Sequence, residues 1–220
     1  MKIKLYLLLL ISAAIILPAQ ADGANAVIKK FRGDVFVVRG DTLMISAKDT
    51  DVINEKDSVF VSDTGMAIIY VPTFRMTIYA DTRSKIQFWQ LPASPKKRSF
   101  FYMKFGNFYF KIGKVLYANM QLRTFHADII PRTYSFHIYS DMQGTVFSNF
   151  MGSAIFSRKN DENICNVTRD KFARLYRGKL IYPRKMSTKQ KYQWRDAFLA
   201  RFDKVFPEKP KPAAKQKKKR

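Results

Sequence analysis

Between Phe31 and Phe88 the apolar residues come only in short runs, each closed within a few positions by Gly, Asp, Asn or Pro. A helix needs its apolar positions repeated at a 3.6-residue period over several turns, whereas a strand needs only a few residues alternating with a period of two. Val35, Val37 and Arg39 fit one strand face, and Gly33 and Gly40 bracket them at turn positions. Ala26–Phe31, Asp34–Val38, Leu43–Ser46, Ser58–Val61, Ala67–Val71, Phe74–Tyr79 and Lys85–Leu91 read as strands. Asp49–Glu55 and Asp63-Thr64-Gly65 read as turns, and Pro72 as a break, because proline has no N–H for the ladder. Elements this short predict an all-β body, as a sandwich, barrel or stacked β-solenoid, rather than a βαβ fold.

The same texture continues to Tyr176. Pro92–Ser99 breaks it with two prolines and the basic cluster Lys96, Lys97 and Arg98, a solvated loop or a surface for an anionic partner. Phe100–Phe110 is rich in aromatics, with a turn predicted at Gly106-Asn107 and a further strand at Lys111–Tyr117. Such rings fill a core or cover a sheet; beside cations they also stack bases or sugars. Gln121–Ile130 and Thr133–Tyr139 read as two strands around a turn at Pro131-Arg132. Gly144–Asn149 and Ala154–Arg158 read as two more, separated near Gly152, before Ile164–Thr168, Phe172–Tyr176 and a turn at Gly178. The β domain is placed at 27–176.

Ser187 opens a different pattern. Gln190 follows three residues later, as in a capping box. Trp194, Phe198, Phe202 and Val205 then recur at helical spacing, so 187–206 reads as one amphipathic helical unit, helical from Thr188 to Val205. Docking through Trp194, Phe198 and Phe202 would cover an open edge or end of the β body; lying on a membrane surface is the second reading. The tail, 207–220, alternates Pro and Lys and then runs into bare charge. Lys209, Lys211, Lys215, Lys217, Lys218, Lys219 and Arg220 make it a disordered, anion-attracting segment.

Two lysines, an apolar stretch from Leu5 to Leu17 and the small-x-small Ala19-Gln20-Ala21 give residues 1–21 the form of a secretory signal, with Ala24-Asn25-Ala26 as a second cleavage site. An uncleaved anchor is the alternative, although the apolar run is shorter than the ~20 residues of a full span. The expected location is periplasmic or extracellular. Cys165, the single cysteine, forms no internal disulfide and reads as a small buried hydrophobe. A net charge of +23 favours an anionic partner or surface.

No GxSxG, phosphate-binding GxxxxGKS/T or GxGxxG occurs. His126 and His137 lie on separate predicted strands with no HExxH and no paired cysteines, short of the three or four ligands a metal needs. No cofactor, catalytic residue or small-molecule substrate is predicted, and the acidic residues Asp49, Asp51, Glu55 and Asp57 read as turn formers.

The block Gly33-Asp34-Val35, Val37, Arg39-Gly40, then Asp51-Val52-Ile53, Asp57-Ser58-Val59 and Gly65-Met66-Ala67 with Ile69 and Val71 resembles the FecR-like domain of exported bacterial proteins. Ile112–Val115, Ala127–Phe136 and Gly144–Gly152 look like that family's later strands. Where the family usually has an Asp-Gly turn this chain has Pro72-Thr73-Phe74, and it lacks a cytoplasmic anti-sigma segment before a membrane span, which argues against a membrane regulator. The resemblance implies an extracytoplasmic β interaction module with no catalytic residues to carry over. The expected function is an exported cell-envelope interaction or scaffold protein whose partner is an envelope protein or an anionic wall or lipid surface. The alternatives are a basic nucleic-acid or anionic-polymer binder, and an envelope enzyme acting on glycans.

Overall fold

The computed structural model describes residues 25–91, 97–113, 120–159 and 164–207. The predicted signal segment, Lys96 and the basic tail lie outside these residues. Among the described residues, fifteen strands join in one hydrogen-bonded network, followed by a C-terminal helix over 188–205. The strands are β1 (Ala26–Arg32), β2 (Val35–Arg39), β3 (Leu43–Ser46), β4 (Val52–Ile53), β5 (Ser58–Val61), β6 (Met66–Val71), β7 (Met76–Ala80) and β8 (Ser84–Gln90), then β9 (Ser99–Ile112), β10 (Met120–Arg123), β11 (Ala127–Ser140), β12 (Gly144–Arg158), β13 (Ile164–Thr168), β14 (Lys171–Tyr176) and β15 (Lys179–Lys185). The predicted strands up to Gln90 are present, with a 3-10 turn at Pro72–Phe74 and a two-residue β4 inside the expected polar turn.

Three long strands organise the rest. β9, β11 and β12 each run through a site where a turn or, at Gly152, a break between strands is expected from sequence, and each changes neighbours there. The first half of β9 pairs with β8 and β10; its second half pairs with β7 and β11. The first half of β11 pairs with β10 and its second with β9, while β12 runs along both. β12 in turn gives its first half to β14 and its second to β13. The network therefore folds into two layers. One carries β3-β2-β5-β8, then the first half of β9, β10, the first half of β11, the second half of β12 and β13. The other carries β4-β1-β6-β7, then the remaining halves of β9, β11 and β12, and β14-β15. The layers are not closed into a barrel.

The signals at 106, 131 and 152 were real; they mark corners rather than chain reversals. Gly106 adopts φ +118°, and a Cβ there would lie 2.2 Å from Ser84 Oγ. Ser84 Oγ accepts from Asn107 N at 3.0 Å, replacing a ladder bond lost at the corner. Gly152 adopts φ +95° beside a register shift at Thr133–Phe136. Buried Asn149 holds this second corner, accepting from Thr133 Oγ1 and donating Nδ2 to the carbonyls of Gly152 and Val167, both at 2.9 Å. Pro131 pairs with Ala154 of β12 but lies past the last β10 pair, Leu122 with Ile129, so its missing N–H falls where the β10 ladder has ended. Thr124 Oγ1 and Thr145 Oγ1, 2.7 Å apart, draw the two ends of the folded β11 together.

Alternation builds the core. Ile28, Val35, Val37, Val59, Val61, Ile69, Ile78, Phe88, Phe101, Phe110, Phe136, Phe147 and Phe156 all point between the layers and are buried in one cluster. Phe110 stacks on Phe136 with centroids 4.6 Å apart. Cys165 is buried here as a free thiol, and burial pushes its pKa up to about 11. β15, which sequence pattern did not mark, carries Pro183 and three basic residues on a largely solvent-facing strand, a composition suited to a sheet edge.

Candidate interaction surfaces

The two layers present two outer faces, and the protein treats them differently. On the β6-β7-β9-β11-β12-β14 side the outward residues include Tyr79, Tyr109, Phe150 and Phe172, and the C-terminal helix lies across them. Ser187 caps it by the expected box: its Oγ accepts from Gln190 N at 3.2 Å while Gln190 Oε1 accepts from Ser187 N at 2.9 Å. Phe198 and Phe202 are 1% exposed and stack on each other; Phe202 meets Tyr79 edge-on at 5.3 Å and Phe198 meets Tyr109 at 6.0 Å. A wide π-type turn at Tyr192–Asp196 rotates Trp194 onto Phe172 and His137. The helix thus covers a face, not the edge or end that its amphipathicity alone suggested, because this face carries the aromatic rings that need cover.

Beneath the helix runs a polar chain that the sequence did not reveal. Arg201 Nη2 donates to Asp81 Oδ2 at 2.6 Å, across 120 positions of sequence, and Asn107 Nδ2 donates to the same oxygen at 3.3 Å. Asn107 Oδ1 accepts from His137 Nε2, so His137 carries its proton there and leaves Nδ1 bare. Nδ1 of His137 and Oδ1 of Asp81 are buried without a hydrogen-bond partner. Burial first, and the Arg201 charge second, lower the His137 pKa from 6.5 to about 3. Tyr109 Oη and Ser135 Oγ lie 2.6 Å apart beside this chain, and burial raises the phenol pKa. Arg201 and Asp81 therefore clamp the helix at its polar end, while the rings hold it along the stripe.

The opposite outer face has no helix across it among the described residues. Phe36 of β2 stacks on Phe60 of β5 at 6.2 Å, and Phe60 meets Phe105 of β9 edge-on at 6.4 Å, forming an aromatic row along the sheet. Further along, a groove of about 330 Å³ opens between Trp89, Arg98, Phe100, Gln121, Arg123 and Ile130. Trp89 is 50% exposed at its mouth. Arg123 lies over the Phe100 ring and is held by Asp128 through bonds of 2.6 and 3.3 Å, which raises the guanidinium pKa. Of the predicted basic cluster, Lys97 and Arg98 are exposed and Arg98 lines this groove.

Among the described residues no group of three His, Cys, Asp or Glu side chains comes together to hold a metal; His126 and His137 are spent on Asp141 O and Asn107. No helix among them is long and apolar enough to cross a membrane, which says nothing of strands.

Fold and surfaces define a two-layer β sandwich sealed by a helix on one side. No protein-family model matches the chain, and no curated protein matches it. Two crystal structures, at 2.50 and 1.65 Å, of a Parabacteroides distasonis protein proposed to be an anti-sigma factor are similar in fold. Each has a TM-score of 0.50 and 13% sequence identity, over 62% of this chain and 63% of that one. This chain thus matches less than two thirds of that protein's length, and the likeness is one of fold.

Proposed function

We propose that this chain is an exported cell-envelope interaction module of FecR-like type, working by binding rather than catalysis. The observation that carries the reading is the inequality of the two outer faces. One is closed by its own helix; the other keeps the Phe36-Phe60-Phe105 row and the Trp89-Arg98 groove open to solvent. Exposed aromatics beside arginine are the side chains most enriched at the centres of protein interfaces. The partner is an envelope protein that lays an apolar, acidic-rimmed surface on this face, and the signal-like residues 1–21 deliver the chain to it.

The test is co-purification from a membrane-and-periplasm fraction with the unaltered chain, with a Trp89→Ala/Arg98→Glu variant and with Lys209–Arg220 deleted. The reading expects the same discrete protein partner with the first and third, and its loss with the second. Recovery that depends only on the tail and falls steeply with salt would instead favour the second reading, an anionic-polymer or nucleic-acid binder, which the net charge of +23 supports.

A further inference from the structure

One end of the sandwich carries a surface that neither the helix-covered face nor the groove explains. The β10–β11 turn lifts Phe125 to 63% exposure, and the neighbouring β11–β12 turn holds Met142 at 95%. The two turns are bound to each other, His126 Nε2 donating to Asp141 O at 3.0 Å. Phe105, at the β9 corner, joins them around an apolar hollow of about 560 Å³ with Lys104 on its wall. The aromatic row of the open face ends at this same Phe105.

Cations surround the protrusion. Lys159 N donates to His126 O and Arg158 pairs with Ala127, which sets both beside the first turn. Arg177 N donates to Gln143 O, which sets it beside the second. None of these three has a carboxylate partner among the described residues. The acid at the tip, Asp141, is occupied. Burial would raise its pKa, but bonds from Gln143 N, Tyr139 Oη and Gly144 N outweigh that and lower it. Lys104 reaches Asp41 only at 4.0 Å.

We propose that this end seats the protein on the surface of an anionic lipid bilayer, with Phe125 and Met142 entering the headgroup–acyl boundary and Lys104, Arg158, Lys159 and Arg177 resting among lipid phosphates. Apolar side chains projecting from paired turns suit a fluid surface that closes around them. A rigid protein partner would need a matching cavity for each. The ring of cations supplies the attraction that holds the apolar tips at an anionic interface. The proposal deepens the envelope reading and rests on it for the presence of such a bilayer.

The test uses the chain as purified from its host, with Met142→Cys labelled by an environment-sensitive fluorophore; Cys165 is buried and serves as the unlabelled control. Vesicles of phosphatidylglycerol and phosphatidylcholine should shift the probe emission to the blue, and phosphatidylcholine alone should not. Phe125→Ser/Met142→Ser, at unchanged melting midpoint, should reduce vesicle binding by roughly tenfold. An unshifted probe overturns the proposal even if vesicles still bind through the tail or the apolar N-terminal residues. So does a double variant that turns a dimer into a monomer while vesicle binding persists, since the tip would then join two copies of the chain. Neither result touches the envelope reading, which is tested by the co-purification described above.

Discussion

The helix-covered face and the open face are built from the same materials, yet one is a second core and the other a surface. Tyr79, Tyr109, Phe150 and Phe172 on the first would be a large exposed apolar patch without the helix. Phe36, Phe60 and Phe105 on the second form a comparable row and have no such cover among the described residues. Burying a large side chain contributes ~1.5–3 kcal/mol, so Phe198 and Phe202 together bind the helix firmly against its ordering cost. The difference teaches where substitutions act: on stability under the helix and, on the function proposed above, on binding across the open sheet.

The largest expected effect follows from Phe198→Asp. It forces a carboxylate between Tyr109 and Phe202, beside an Arg201 guanidinium that lies 5.4 Å over the ring but is already bound to Asp81, and should cost ~4 kcal/mol. Chemical denaturation of this variant beside Phe60→Asp should show a loss under ~1 kcal/mol for the second, as for most surface changes. Equal losses would erase the distinction between the faces.

Next is the clamp. Arg201→Met leaves Asp81 buried with only Asn107 Nδ2 as side-chain donor, and should cost ~2–3 kcal/mol by the usual penalty for an orphaned buried charge. Adding Asp81→Asn should recover part of that loss, and a double-mutant cycle measures the coupling. If the two losses simply add, the pair does not clamp the helix.

A graded effect, small over any one pH unit, is expected from pH. His137 is neutral in the fold down to about pH 3, whereas in the unfolded chain it binds a proton below about 6.5. The unfolded state therefore holds more protons in that window. The histidine's contribution is fully present above pH 6.5, and stability falls as pH drops, by roughly 1.4 kcal/mol per unit between those values. A His137→Gln variant followed from pH 7 to 4 should lose this part of the slope. An unchanged slope would mean that other groups set the acid limit of the covered face.

Much of this architecture could be read in the residues. The period-two runs up to Gln90 located their strands because each is ended by its own turn chemistry, and the Ser187–Gln190 box located the helix start. Gly106, Pro131 and Gly152 are corners rather than ends of strands for a physical reason: a positive-φ glycine or a missing donor marks a corner as readily as a reversal, and only the partner strands decide which. β15 escaped because an edge strand rich in Lys, Arg and Pro has little alternation to see. The Arg201-Asp81-Asn107-His137 chain was invisible, since four ordinary polar residues from distant segments carry no shared spacing. Its nearest signal was a histidine set among strand residues without metal-ligand company. The open groove was legible only in its Arg98 corner.

The central claim, that the open face binds and the covered face holds the fold, is tested most directly by photocrosslinking in living cells. A benzoyl-phenylalanine placed at Phe60, at Trp89 or, as the comparison, at Tyr192 on the exposed side of the helix would be activated and the adducts identified. The account predicts one recurrent envelope-protein adduct from Phe60 and Trp89 and none of it from Tyr192. The same adduct from Tyr192 alone, with the open-face positions silent, would contradict it.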